Sequence, residues 1–480
     1  MSKKKKNCMM FSGYAANDVT GSEIAINYNG KNILIECGLH QSSDILEAYN
    51  ANIQKLPIKA SKIDYVFVMH PHIDHIGRLP LLFRRGFDGK IISTPETKVI
   101  ARDLLLNSAF IAESDARYLS KRFHRNYEPL YNEYDVNTVM DLFETYNAYD
   151  SVVWLDDTVG FKFFKNSHCV GACSLQLVLT DGIETKKITY TSDIGAIDTN
   201  NSFVDRLDYK GLTETYSDFF IGESTYGDGK RDTRRSRKKD LEILKSAILN
   251  TIESGGTVIN PSFSFARTQE MVKCIYHLFK DDDTFGGTEV VVDSTLSVQM
   301  CDDYVLTLKG TELAEWNEIM QWKNLRLIKD KNESVASVKS KTPKVVISSS
   351  GFCMNGRIVD YIKEHIENEN DTIILSGFCG ADKSYLGYRI KNAKPNEMIK
   401  IGRKCYRNAA HLVNLTTFSS HADFRDLHNI YSNLKTNKLI LLHGSEAAKR
   451  TLKESLEQQI SDNNSTYKVV CATKGMVINL

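Results

Sequence analysis

The stretch His70-Pro71-His72-Ile73-Asp74-His75-Ile76-Gly77 constrains this chain more than any other. It follows Asp64-Tyr65-Val66-Phe67-Val68-Met69, a run rich in β-branched and aromatic residues that predicts a buried strand. Successive strand side chains alternate in direction, so His70 and His72 project to one side and can grip one cation, while Asp74 and His75, past the bend, can aim at a neighbouring one. A single histidine at a strand end is more often a satisfied hydrogen-bonding residue than a ligand. Three imidazoles and a carboxylate within six positions are different, because as purely structural residues each would need its own buried polar partner. The pattern predicts the first half of a two-metal site, and the other half must come from elsewhere in the chain.

Later strand ends offer the candidates. Phe161-Lys162-Phe163-Phe164-Lys165-Asn166-Ser167-His168 reads as a strand ending in histidine, and Ile188-Thr189-Tyr190-Thr191-Ser192-Asp193-Ile194-Gly195 as one ending in aspartate. Taken singly each is also a reasonable turn residue. Phe219-Phe220-Ile221-Gly222-Glu223 delivers a glutamate to a loop, and Lys438-Leu439-Ile440-Leu441-Leu442-His443 delivers another histidine. In Phe418-Ser419-Ser420-His421-Ala422-Asp423, Ser420 and Asp423 have capping-box spacing, which puts His421 in the first turn of a helix beside free backbone amides.

Between these points the chain changes rhythm. Asn29-Gly30, within Glu23-Ile24-Ala25-Ile26-Asn27-Tyr28-Asn29-Gly30-Lys31 leading into Asn32-Ile33-Leu34-Ile35-Glu36-Cys37-Gly38, is a hairpin signal. Residues from about 97 to 148 have helical spacing, Val139, Met140, Leu142 and Phe143 included. From after Gly227 to about residue 394 short apolar runs such as Thr257-Val258-Ile259-Asn260 and Thr372-Ile373-Ile374-Leu375-Ser376 alternate with helical stretches, which implies a parallel sheet flanked by helices, with serine- and glycine-rich loops such as Ser348-Ser349-Ser350-Gly351 and Ser376-Gly377 that are either plain turns or phosphate-binding amides. A basic run, Lys230-Arg231 and Arg234-Arg235-Ser236-Arg237-Lys238-Lys239, is either a solvated helix face or a set of phosphate contacts.

At 480 residues, 42% hydrophobic and 25% charged, the chain has the balance of an ordinary globular protein of two or three domains. A net charge of +1 argues against wholesale polyanion binding and confines any nucleic-acid surface to a local patch. The ten cysteines show no paired spacing, so a reducing, cytoplasmic setting is expected. Met1-Ser2-Lys3-Lys4-Lys5-Lys6 is followed by too few apolar residues for a signal-peptide core or a membrane span, and no membrane association is expected.

The His70–Gly77 stretch resembles the HxHxDH signature of the metallo-β-lactamase superfamily, whose fold is a four-layered αββα hydrolase sandwich. The segments around Glu223, Pro261-Ser262-Phe263-Ser264-Phe265-Ala266-Arg267, His421 and His443 are similar to motifs of its β-CASP nucleases, and together the likeness spans nearly the whole chain. Two departures stand out: Glu36 where many relatives carry aspartate, and Ser384-Tyr385 where many carry Gly-Thr. The resemblance implies a first part of the sandwich over 1–208, an inserted β-CASP domain over 209–394 and a completing part over 395–480. It implies two zinc ions per chain, one held by His70, His72, His168 and a bridging Asp193, the other by Asp74, His75, Asp193 and His443. Those ions would make a shared water acidic and stabilise charge on a phosphate, with Asp74 and Asp193 counted among the catalytic groups. His421 becomes the acid for the leaving oxygen, oriented by Glu223, with Glu36 in a supporting position.

The implied substrate is RNA, single-stranded, since a histidine at position 443 goes with RNA in this family and valine with DNA. Hydrolysis would leave a 5′-phosphate and a 3′-hydroxyl, by internal cleavage or else by 5′→3′ exonucleolytic digestion. A catalytically silent RNA-binding scaffold and a small-molecule metallo-hydrolase are the competing classes, and the oligomeric state, a homodimer included, stays open.

Overall fold

The computed structural model describes residues 7–229, 236–380, 382–462 and 467–480. Two compact units form, one from Met1–Arg231 with Ser420–Leu480 and the other from Asp232–Ser419. The second is inserted in the sequence of the first, but the divisions fall later than the 208/209 and 394/395 boundaries read from sequence. The reason is strand pairing. Phe219–Glu223 hydrogen-bonds to Thr185–Tyr190 and to Lys438–Leu442 in the first unit, and His411–Asn414 pairs with Thr372–Leu375 in the second.

Among its described residues the first unit holds two seven-stranded sheets. One runs in the order Val477–Asn479, Cys8–Phe11, Ile24–Tyr28, Lys31–Ile35, Tyr65–Phe67, Lys90–Ser93, Phe143–Thr145. Its Asn29-Gly30 turn has φ of 47° and 83°, the doubly left-handed geometry that matches hairpin twist, and sets Tyr28 opposite Lys31. The other runs Lys468–Cys471, Lys438–Leu442, Phe219–Glu223, Thr185–Tyr190, Cys173–Thr180, Val159–Lys165, Val153–Trp154.

Alternation along each strand decides what fills the space between the sheets. Phe67 and Met69 join Phe161, Phe163, Leu175, Leu177, Ile221 and Ile440 in one buried cluster. Val66 and Val68 point the other way, onto Leu105 of helix Pro95–Phe123 and Val136 and Val139 of helix Glu133–Met140. On the second sheet Leu439 and Leu441 turn outward to Leu427 and Ile430 of helix Phe424–Ser432 and Leu452 of helix Glu446–Asp462. The layers are therefore helix, sheet, sheet, helix, as expected.

The stretch read as helical from 97 to 148 is two helices and a strand. Pro95–Phe123 is capped by Thr94 and stops at His124, whose φ is 50°, and Glu133–Met140 opens on a capping box of Asn132 and Asp135. Phe143 then pairs with Ile91 at the sheet edge, so tertiary pairing overrides a locally helical pattern. In the second unit six parallel strands run Leu325–Ile328, Glu289–Asp293, Lys344–Ser348, Thr257–Pro261, Thr372–Leu375, His411–Asn414. Helices flank this sheet, among them Ile358–His365, which buries Ile358, Tyr361 and Ile362 against Ile259, Val346 and Ile373.

Of the basic run, Lys230 to Arg235 lie outside the described residues. Arg237 is committed to packing: its guanidinium is 2.6 Å from Glu270 Oε1 and 3.5 Å from the centre of the Phe418 ring. Lys239 pairs with Glu242 on the exposed face of the same helix, Arg237–Glu253.

Backbone pairing fixes the first motif. Cys37 N and Leu39 N donate to His75 O and Ile73 O, while Gly38 N donates to Ser22 O and Ser22 N to Asp74 O. A Cβ on Gly38 would overlap the Asp74 carbonyl and come within 2.7 Å of Ser22 N. Gly38→Ala should therefore destabilise the protein by about 1–3 kcal/mol through overpacking. Gly287→Ala, where a Cβ meets nothing within 4 Å, serves as the control and should stay within about 0.5 kcal/mol in urea denaturation.

Candidate metal centre

Strand direction explains why residues so far apart in sequence meet. Thr185–Tyr190, Phe219–Glu223 and Lys438–Leu442 are parallel neighbours, so their carboxyl ends share one edge of the sheet. Asp193, Glu223 and His443 sit at those ends. His70, His72, Asp74 and His75 follow Tyr65–Phe67 in the facing sheet, and His168 follows Val159–Lys165.

The nine expected site residues converge. Ligand atoms of His70, His72, His168 and Asp193 lie within 4.8 Å of one another, as do those of Asp74, His75, Asp193 and His443, so Asp193 belongs to both groups. His168 Nε2 is 3.2 Å from His72 Nδ1 and 3.9 Å from Asp193 Oδ2, and His70 Nε2 is 3.7 Å from the same oxygen. On the other side His75 Nε2 is 3.3 Å from Asp193 Oδ2, His443 Nδ1 is 3.3 Å from Asp193 Oδ1, and Asp74 Oδ2 is 3.6 Å from both His75 Nε2 and His443 Nε2.

Burial and crowding set the electrostatics. Burial pushes His70 and His168 well below the ordinary imidazole value, and His72 down to about 4. Burial would lower His75 too, but Asp193, Asp74 and Glu36 together hold it well above that value. Burial alone would raise Asp193; the His443 and His75 rings overcome this and keep its carboxyl well below the carboxylate range. Buried His70 Nε2, Asp193 Oδ1 and His443 Nε2 have no hydrogen-bond partner. Native proteins rarely leave such atoms unsatisfied, and imidazole nitrogens converging with carboxylate oxygens are the donor set that zinc accepts. The residues present fit a pair of divalent cations.

Around this core lies a ring of orienting contacts. Glu36, wholly buried and at φ 62°, has Oε1 3.3 Å from His75 Nδ1 and accepts from Ser192 Oγ at 3.0 Å. Ser192 Oγ is also 3.2 Å from His70 Nδ1, so one carboxylate orients a ring in each group. Thr225 Oγ1 lies 3.0 Å from His443 Nδ1, and Ser420 O 3.3 Å from His168 Nδ1. Sequence reasoning missed Ser192, Thr225 and Ser420 in these roles.

His421 stands beside the core, Nε2 4.0 Å from Asp193 Oδ2 and Nδ1 3.0 Å from Glu223 Oε1. Glu223 is fixed in turn by Ile194 N at 2.8 Å and Thr225 N at 3.1 Å. Burial would lower the His421 ring, but Glu223, Asp193 and Asp74 raise it to about 9. The helix-turn expectation for His421 fails. Asp423, not Ser420, caps helix Phe424–Ser432, accepting from Arg425 N at 2.8 Å and Asp426 N at 3.0 Å with Asp426 closing the box, so His421 precedes the helix.

An αββα sandwich with an N/O donor cluster at its strand ends defines the class of metallo-hydrolases. The model of the metallo-β-lactamase superfamily matches residues 21–160, that of the Beta-Casp domain 268–390, and that of the Zn-dependent metallo-hydrolase RNA specificity domain 406–467. Integrator complex subunit 11 of Danio rerio is 24% identical over 93% of this chain and 71% of its own length. Ribonuclease TTHA0252 of Thermus thermophilus is 26% identical over 90% and 92%, and Endoribonuclease YSH1 of Kluyveromyces lactis is 25% identical over 97% and 59%. A crystal structure of a protein of unknown function from Enterococcus faecalis V583 shares the fold, with a TM-score of 0.55, 14% identity and coverage of 99% of this chain and 100% of that one. The chain belongs to the metallo-β-lactamase superfamily, in the branch that carries the Beta-Casp domain.

Proposed function

We propose that this chain is a metal-dependent ribonuclease that holds two zinc ions and cleaves single-stranded RNA internally, leaving 5′-phosphate and 3′-hydroxyl ends. The observation that carries the reading is the pair of donor groups joined through buried Asp193, with the His421–Glu223 pair beside them. Relatives named ribonuclease and endoribonuclease, and the RNA specificity domain, support RNA as substrate. Among the described residues no helix is long and apolar enough to cross a membrane. The ten cysteines are free thiols, which supports a reducing compartment such as the cytoplasm.

Each side chain has a role that follows from its atoms. His70, His72 and His168 would hold one ion and Asp74, His75 and His443 the other, with Asp193 offering an oxygen to each. Bound zinc supplies Lewis acidity, making water a better nucleophile and neutralising charge on the phosphate oxygens. Hydrolysis breaks the bond between phosphorus and the 3′-oxygen, and that oxygen must take up a proton. His421 is suited to donate it. Its Nδ1 is tied to Glu223, so Nε2 is the nitrogen that faces the reacting phosphate, and Glu223 favours the protonated ring. That contribution does not depend on Asp74 or Asp193, whose charge an ion would neutralise. Glu223 itself stays in place through two backbone amides.

Three outcomes test the reading. Asp193→Ala should lose both ions, whereas His72→Ala should lose chiefly the one shared by His70 and His168, measured as metal per chain by emission spectroscopy. His421→Ala should keep its zinc while cleavage falls by about 10²–10⁴-fold; unchanged RNA hydrolysis in that variant would remove His421 from the chemistry. Finally, linear and circular single-stranded RNA digested in parallel separate the modes: an opened circle requires internal attack, and an intact circle beside degraded linear RNA identifies a 5′→3′ exonuclease.

A further inference from the structure

Lys449 is a buried charge of the first unit that the chemistry above leaves unexplained. It lies on helix Glu446–Asp462 and is 2% exposed. Its Nζ donates to Ala16 O and, at 2.6 Å, to Ala472 O. An ammonium is costly to bury, and an apolar side chain would fill the space as well, so its presence points to the carbonyls it binds. Those carbonyls belong to two segments that frame His443. His443 N donates to Ala15 O at 2.8 Å and Gly444 N to Asp18 O at 3.0 Å, so the segment whose Ala16 carbonyl is gripped by Lys449 also receives the backbone of the His443 turn. Ala472 follows strand Lys468–Cys471, the parallel neighbour of Lys438–Leu442, and its N donates to Leu441 O at 2.9 Å.

The turn needs such support. His443 has φ 51°, a left-handed conformation that residues other than glycine adopt rarely and only under external constraint. On one flank it is held by Ser224 N, which donates to His443 O at 3.1 Å, and by Thr225 Oγ1 on the ring nitrogen. That flank is anchored in strand Phe219–Glu223. The other flank, residues 15–18, is a short turn beginning at Tyr14–Ala16, with no sheet of its own to fix it. Lys449 ties that turn to the strand end beside His443.

We propose that Lys449 is a positioning residue for His443 and, through it, for the ion that Asp74, His75 and Asp193 share; the inference rests on the two-ion reading above. The test uses Lys449→Met and Lys449→Gln in the full chain, with metal content measured after dialysis against low zinc and cleavage of single-stranded RNA followed at several zinc concentrations. Wild type should retain two ions and Lys449→Met one, with kcat reduced about 10–100-fold, KM for RNA little changed, and much of the rate restored by added zinc. Lys449→Gln, which keeps an N–H donor, should hold the second ion about tenfold more weakly, and decides the matter if Lys449→Met is not recovered folded. Two ions retained at wild-type affinity, or both lost together without rescue by zinc, would overturn the proposal. A wild-type chain that binds no metal would instead overturn the two-ion reading, and the wild-type sample reports that separately.

Discussion

The structure turns on one buried carboxylate. Asp193 is nearly inaccessible, yet imidazoles of His70, His75, His168, His421 and His443 all lie within 4.0 Å of its oxygens. Such a concentration of ionisable groups is unfavourable in a low-dielectric interior unless something compensates the charge and accepts the lone pairs. Two divalent ions would do both, which is why the strand ends, the loop at Glu36 and the turn at His443 can be read as one assembly rather than as separate local features. The parallel order of Thr185–Tyr190, Phe219–Glu223 and Lys438–Leu442 brings Asp193, Glu223 and His443 to one edge once that sheet forms.

Much of this could be read from the chain. The density of histidine and aspartate from His70 to His75 has no cheap structural explanation, and it raised the strand-end residues His168 and Asp193 as candidates; Glu223, His421 and His443 were singled out by their resemblance to β-CASP motifs. Asn29-Gly30 was legible because its backbone demands are strict. The parallel sheet of the second unit was legible because buried strands read as short apolar runs.

What escaped has physical reasons. Hydroxyl groups are everywhere in the sequence, and only the fold brings Ser192 Oγ between His70 Nδ1 and Glu36. Ser420 and Asp423 are both good helix caps; the carboxylate wins by accepting two amides, which moves His421 out of the helix. Phe143 carried a helical pattern but gained a strand partner in Ile91. Arg237 looked like a free charge among basic residues, whereas Glu270 and Phe418 had already claimed it. The unit boundaries moved because hydrogen-bonded neighbours at a sheet edge leave no trace in composition.

The insertion has a consequence for how the molecule comes into being. As the chain leaves the ribosome, Phe219–Glu223 is made long before Lys438–Leu442, its partner on one side, and Cys8–Phe11 long before its partner Val477–Asn479. Late partners of this kind mean high contact order and slow closure of the first unit. A partly synthesised chain carries His70 through Glu223 without His421 or His443, so the donor groups around Asp193 stay incomplete until Lys438–Leu442 and the turn after it have been made.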